Sequence, residues 1–317
     1  MDNYIEKALK TINKKIPADC EADYQQVKKN NGVILDGFII REQGNSIAPT
    51  FYLSQEDREN MTPEEFAERI AKRFEIERER GIDFDVANFT DVDWVKKHIM
   101  FEIVNRGRNE GSNLASIPIT PDLMIAFKVA VMPNASIRIT NEHVHNWGDI
   151  SLEELLENAR QNAVVMDKVS FRSISDVLID MMLNEYKAQY PNVPENEFRN
   201  RIKEEMFGGV DGMLYVLSTQ RQSNAALLYP DVLSEIREKL DDDLVILPSS
   251  IHEILVMKKA DALEIGLDAC KSMVREVNRD VVMQDDATDF LSDELLYYDG
   301  TLRQIDEHEF DKDSMAI

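Results

Sequence analysis

Only two cysteines, Cys20 and Cys270, stand in 317 residues, with no CxxC pair and no cysteine–histidine run at zinc-finger spacing. A disulfide framework is thereby excluded, and a zinc finger has no sequence support. Cys270 shares an apolar stripe with Leu263, Leu267 and Val274, so it reads as a small buried hydrophobe rather than a nucleophile. No run approaches 18 uninterrupted apolar residues, and residues 1–7 carry no basic stretch followed by an apolar one. Neither a membrane span nor a secretory leader is expected, which places the protein in the cytoplasm. Also missing are HExxH, GxSxG, a Walker loop, a GxGxxG turn after a strand and a DxDxDG loop. Zincin proteolysis, P-loop nucleotide hydrolysis and Rossmann-type dehydrogenation lose their usual sequence support, and no cofactor is expected.

Basic residues are the scarcer charge: 36 lysines and arginines face 60 aspartates and glutamates, a net of −24. That balance repels nucleic-acid phosphates and anionic membranes and leaves a basic protein as the favoured kind of partner. With 43% hydrophobic residues the chain has enough apolar material for a full core, in one large domain or two moderate ones.

The pattern of elements indicates an α+β fold, mostly antiparallel sheets with flanking helices. Tyr4, Ile5, Ala8, Leu9 and Ile12 recur at helical spacing until Pro17. Residues 33–40 and 48–53 read as paired strands between turn-forming Asn and Gly residues. Thr62-Pro63-Glu64-Glu65 is a helix start with a capping box, Phe66, Ile70 and Phe74 forming its inner stripe and Gly81 its end. The spacing predicts a helix over 92–104, a polar loop over 105–111, a buried strand over 123–132 paired with 136–140, and a helix capped by Ser151. Strands are expected over 213–217, 225–228, 244–247, 251–257 and 295–298, with helices over 230–240 and 261–278. Residues 1–183 are expected as an N-terminal α+β region, 184–212 as a polar connection, 213–300 as a C-terminal α+β region and 301–317 as an acidic tail. A single combined domain is the alternative.

Five histidines bear on any catalytic role: His98, His143, His145, His252 and His308. His143 and His145 would lie on one face of a strand and could share a metal with Glu142 or Asp149; in a polar turn or short helix the rings would diverge. Ser250, His252 and Glu253, in the segment PSSIHE, gather a hydroxyl, an imidazole and a carboxylate at a strand end, so a nucleophile, a base and an orienting acid are conceivable there. Against this, Ser249 and Ser250 can simply satisfy backbone groups in a turn while His252 bonds across the sheet. Asp241, Asp242 and Asp243 cannot all face one ion on regular structure and suit a turn. Arg106 and Arg108, in a glycine-containing loop, could hold an anion by bidentate contacts.

The strings MLYVLS (213–218), AALLYP (225–230), ILPSSIHE (246–253) and VREVN (274–278) resemble an uncharacterised domain-of-unknown-function family of gut Firmicutes, mostly clostridial. Leu291-Ser292-Asp293, residues 34–41 and 49–53, Val104-Asn105 with Asn109, and residues 139–147 share the likeness. The resemblance implies a cytoplasmic protein of the kind that travels with mobile elements, and it brings no catalytic residues to carry over. The leading expectation is a non-enzymatic acidic protein-binding or regulatory module, such as a mobile-element accessory or host-defence inhibitor. The alternative is a hydrolase or metal-dependent enzyme centred on the PSSIHE segment.

Overall fold

The structure, a computed structural model, describes residues 2–45, 47–81, 85–132, 135–192, 194–207, 212–248, 250–279 and 287–306. Ser249, His308 and most of the acidic tail lie outside these residues. Helix α1 (Asn3–Lys15) turns Ile5, Ala8 and Ile12 inward, and the Asp2 carboxylate caps it by accepting from Ile5 N at 2.9 Å. Strands β1 (Cys20–Lys28), β2 (Ile34–Glu42) and β3 (Thr50–Leu53) form an antiparallel sheet in that order. The β2–β3 pair is the expected one. The sequence pattern does not predict β1, because Ala22 is its one buried residue and a polar strand has no hydropathy period. After the short α2 (Gln55–Asn60), α3 (Pro63–Arg80) begins with the Thr62–Glu65 capping box and ends at Gly81, whose φ of 71° a side chain would strain. Phe66, Ile70 and Phe74 of α3 meet Ile12, Phe38 and Phe51 in one apolar core.

The chain divides into two compact units, Met1–Val95 with Val131–Ala135, and Lys96–Ala130 with Ser136–Ile317. The junction lies within α4 (Val92–His98), which runs directly into β4 (Ile99–Asn105). The helix expected over 92–104 therefore stops at His98. All seven β4 residues are buried, and a run apolar on both faces has no period that distinguishes strand from helix. Strand β5 (Ser116–Pro118) and β4 flank β6 (Leu123–Met132), and β7 (Ala135–Arg138) also pairs with β6. Two helices follow, α5 (Asn141–Asn146) and α6 (Leu152–Met166). Ser151 caps α6, which buries Leu155, Ala159 and Ala163 and is tied to the start of β4 by Asn162 Nδ2, donating to the Lys96 and Ile99 carbonyls.

Beyond α6, strand β8 (Val169–Ser173) leads into α7 (Ile174–Gln189) and α8 (Glu195–Phe207) before β9 (Leu214–Thr219). The segment expected as a polar connection thus carries the end of α7 and all of α8. Ile179, Leu183, Phe198 and Ile202 give the helix pair a small core that too few apolar residues announce. The strand expected over 225–228 is a 3-10 turn, Asn224–Leu228, begun by Ser223. Next come α9 (Val232–Leu240), β10 (Leu244–Leu247), β11 (Ile254–Lys258), α10 (Lys259–Ile265), α11 (Leu267–Val277), β12 (Leu296–Tyr298) and β13 (Leu302–Gln304). The single helix expected over 261–278 is broken at Gly266, which has a φ of 92°. The sheet order is β13-β12-β10-β11-β9-β8, so the fold is α+β with three antiparallel sheets among the described residues, as expected. Cys270 is fully buried on α11 beside Met257 and Val274. No described helix is long and apolar enough to cross a membrane.

Candidate functional site

Ser250 and His252 occupy the turn between β10 and β11. The Ser250 hydroxyl accepts a hydrogen bond from the His252 backbone N–H at 3.1 Å, and none joins it to the imidazole. The ring faces an acceptor at each nitrogen: Nε2 lies 3.0 Å from Asp289 Oδ2 and Nδ1 lies 3.4 Å from the Gln222 carbonyl. Two acceptors suit an imidazolium, whereas a general base needs one nitrogen bare and turned toward its nucleophile. Glu253 is exposed beside them, and the carboxylate that orients the ring is Asp289. Asp243 accepts from Arg237 Nε at 2.8 Å and Tyr297 OH at 2.5 Å. Asp242 accepts from Ala260 N at the start of α10, so these acids build turns.

His143 and His145 fall on helix α5, two residues apart, which turns their side chains about 200° from one another. His143 Nδ1 accepts from Thr140 N at 3.1 Å in a capping box and the ring stacks on Trp147, while His145 pairs with Asp149 at 3.0 Å. Among the described residues no group of three or more His, Cys, Asp or Glu side chains is arranged to hold a metal ion.

The polar loop after β4 has the most developed geometry. Asn105 Oδ1 accepts from Arg108 N at 2.8 Å, Asn105 Nδ2 donates to the Leu291 carbonyl at 2.9 Å, and Asn109 Nδ2 donates back to the Asn105 carbonyl at 2.8 Å. Both asparagines are buried, so these amides do for the loop what a core does for an element. Asp122 accepts from Ser292 Oγ and from Thr120 Oγ1, and its carbonyl accepts from Arg106 N at 2.7 Å. Loop and neighbouring strands line an open cavity of about 670 Å³ whose polar lining includes Arg106, Glu110, Ser112, Asn113, Ser116 and Asn141. Among the described residues no His, Cys, Asp or Lys lines it. The exposed Arg106 side chain has no ion-pair partner among the described residues, whereas the Arg108 guanidinium lies 3.8 Å over the Phe290 ring, and Arg108 does not line the cavity.

A model described as a family of unknown function (DUF5688) matches residues 1–300. The chain belongs to that family. No curated protein and no solved structure matches it. The resemblance read from the MLYVLS and ILPSSIHE strings, to a family without assigned activity, agrees with this membership.

In this DUF5688 chain the PSSIHE segment and the cavity loop meet on one piece of scaffold. Ile251 N donates to the Asp289 carbonyl, Ser250 bridges Phe290, and Arg108 covers the Phe290 ring. His252 and Arg108 thus clamp the 289–291 segment that supports Asn105. Sequence reasoning missed the buried Asn224, which no local pattern announces, and read Asn105 and Asn109 only as part of a polar loop and of the family likeness, without their anchoring role.

The two best-placed imidazoles should titrate with opposite sign. The hydrogen bond to Asp289 raises His252 above its ordinary 6.5, with burial opposing it. Its contribution, on the order of 0.2–1 kcal/mol for so exposed a pair, is full below about pH 6.5 and fades as pH rises through the folded value. Burial lowers His143, with Glu142 pulling the other way, and the cap needs Nδ1 unprotonated. Its contribution is full above about pH 6.5 and is lost on acidification. Urea midpoints of His252→Asn and His143→Ala, compared with the parent at roughly pH 5.5 and 8.5, should diverge in opposite directions; parallel shifts would reject both assignments.

Proposed function

We propose that the protein works by binding rather than by catalysis, and that the cavity beside the β4 loop receives a small anion that also carries hydroxyl or amine groups. The observation that carries this is Arg106, a guanidinium at the edge of a polar cavity that has no carboxylate partner among the described residues. Arg106 would take the anionic end; Glu110, Asn113, Asn141 and the serine hydroxyls suit the remaining donors and acceptors. The volume falls in the range of ordinary small-molecule sites.

Isothermal titration of the full chain with inorganic phosphate, glycerol 3-phosphate and L-glutamate tests the proposal. At least one of the two hydroxyl- or amine-bearing probes should bind saturably and more tightly than phosphate, and Arg106→Gln should weaken it about tenfold or more. Equal affinity in the variant, or no saturable probe, would refute the assignment. The hydrolase alternative rests on Ser250, His252 and Glu253; it regains its footing if purified protein cleaves an ester or phosphoester and Ser250→Ala abolishes the cleavage. A basic protein partner for the acidic surface is a second reading, favoured by the net charge of −24.

A further inference from the structure

Strand β1 lies at the edge of its sheet, where among the described residues it pairs with β2 alone. Gln43 N donates to the Asp19 carbonyl at 2.8 Å and Lys29 N to the Val33 carbonyl at 2.7 Å, so the odd-numbered residues of this stretch bond to β2. The backbone groups of the even-numbered ones therefore point away from the sheet. One of them is already closed: Ala22 N donates to Asn13 Oδ1 at 2.8 Å, and the Ala22 carbonyl accepts from Asn13 Nδ2 at 2.9 Å. A side chain of α1 thus occupies the place of a neighbouring strand. At the other end β1 stops at Lys28, and the chain turns into a 3-10 helix, Asn30–Gly32. Between plug and turn the edge stays open over residues 24–28, with the exposed Gln26 at its middle. Tyr24 N donates to the Asp23 carboxylate at 2.8 Å, which leaves its carbonyl and both backbone groups of Gln26 and Lys28 to meet an incoming strand.

Charge decides which strand fits. Asp23 and Lys29 flank the open edge on the outer face of the sheet, the Lys29 ammonium 4.1 Å over the Tyr52 ring and the exposed Asp23 in a loose 3.5 Å pair with Arg41. An antiparallel copy of β1 centred on Gln26 sets Asp23 opposite Lys29 of the second copy, and does so twice. A parallel copy in register sets like charge beside like. The Asn13 plug and the turn after Lys28 lie at equal distances from Gln26, so a slipped register runs into one of them.

We infer that the protein forms a two-fold dimer by antiparallel pairing of β1 with β1 of a second copy, which joins the two three-stranded sheets into one. The dimer is independent of the Arg106 cavity.

Sedimentation equilibrium of the full chain should report a dimer that dissociates on dilution. Gln26→Pro removes the central outward N–H while leaving the pairing to β2, and should raise the dissociation constant about tenfold or more. Asp23→Lys sets two lysines opposite each other and should raise it about threefold or more, and adding Lys29→Asp to the same chain should restore it. Unfolding midpoints matching the parent would show that the variants keep their fold; should Gln26→Pro misfold, the exposed Asp23→Lys and its charge swap carry the test. A single-chain mass up to about 200 μM, an undiminished dimer in folded Gln26→Pro or in Asp23→Lys, or a charge swap that fails to restore pairing would overturn the inference.

Discussion

Replacing Asn224 by leucine should lower the unfolding free energy by about 2–5 kcal/mol, because two buried backbone groups of β4 each lose a partner worth roughly 1–3. Asn224 is fully buried, and its amide does the work of a neighbouring strand: Oδ1 accepts from Ile103 N at 3.0 Å and Nδ2 donates to the Ile103 carbonyl at 2.7 Å. The contact spans 121 residues of sequence, so the loss should appear as a lower urea midpoint of the whole cooperative transition rather than as local fraying. A change below about 1 kcal/mol would mean that water or a relaxed backbone replaces the amide.

A comparable loss is expected at Glu102. This carboxylate sits in the interior of β4, paired with Lys128 Nζ at 3.2 Å and with the Arg138 guanidinium at 2.7 Å. Burial pushes its pKa up, but the two cations outweigh burial and hold it below the ordinary 4.5. The double change Lys128→Met with Arg138→Met strands the carboxylate and should cost about 3–5 kcal/mol at neutral pH. A lowered carboxyl pKa contributes stability that is present above the unfolded value and lost as pH falls through the folded one. Parent and variant should therefore converge on acidification, where the stranded acid takes a proton. Adding Glu102→Gln to the double variant should recover most of the loss at neutral pH. A pH-independent gap between parent and double variant, measured by urea unfolding, would assign the cost to packing instead.

Local chemistry was legible wherever a motif and a period coincided. The Thr62–Glu65 box, Ser151 and the stripe of Phe66, Ile70 and Phe74 each predict an element that the structure contains. Legibility failed where burial removed the period: β4 is apolar on both faces, and its hydropathy equals that of a helix. It failed again where polarity did so, at β1 and along α8. The site suffered a different limit. His252 and Ser250 are neighbours in sequence, yet the partner that decides the imidazole is Asp289, and the amide that anchors Asn105 reaches Leu291; no local pattern encodes pairings at such separation. For His143 and His145 the deciding fact is helical twist, and the short helix in which the rings diverge is one of the two options the sequence leaves open.

Strands β8 and β9 are antiparallel neighbours, with Ser173 opposite Tyr215, so the chain leaves the sheet and re-enters it at the same place. Everything between, including the helix pair with its private core, is in topological terms one oversized hairpin loop. Its length is decoupled from the register of the six strands, which makes it the natural place to graft a reporter or to trim the molecule.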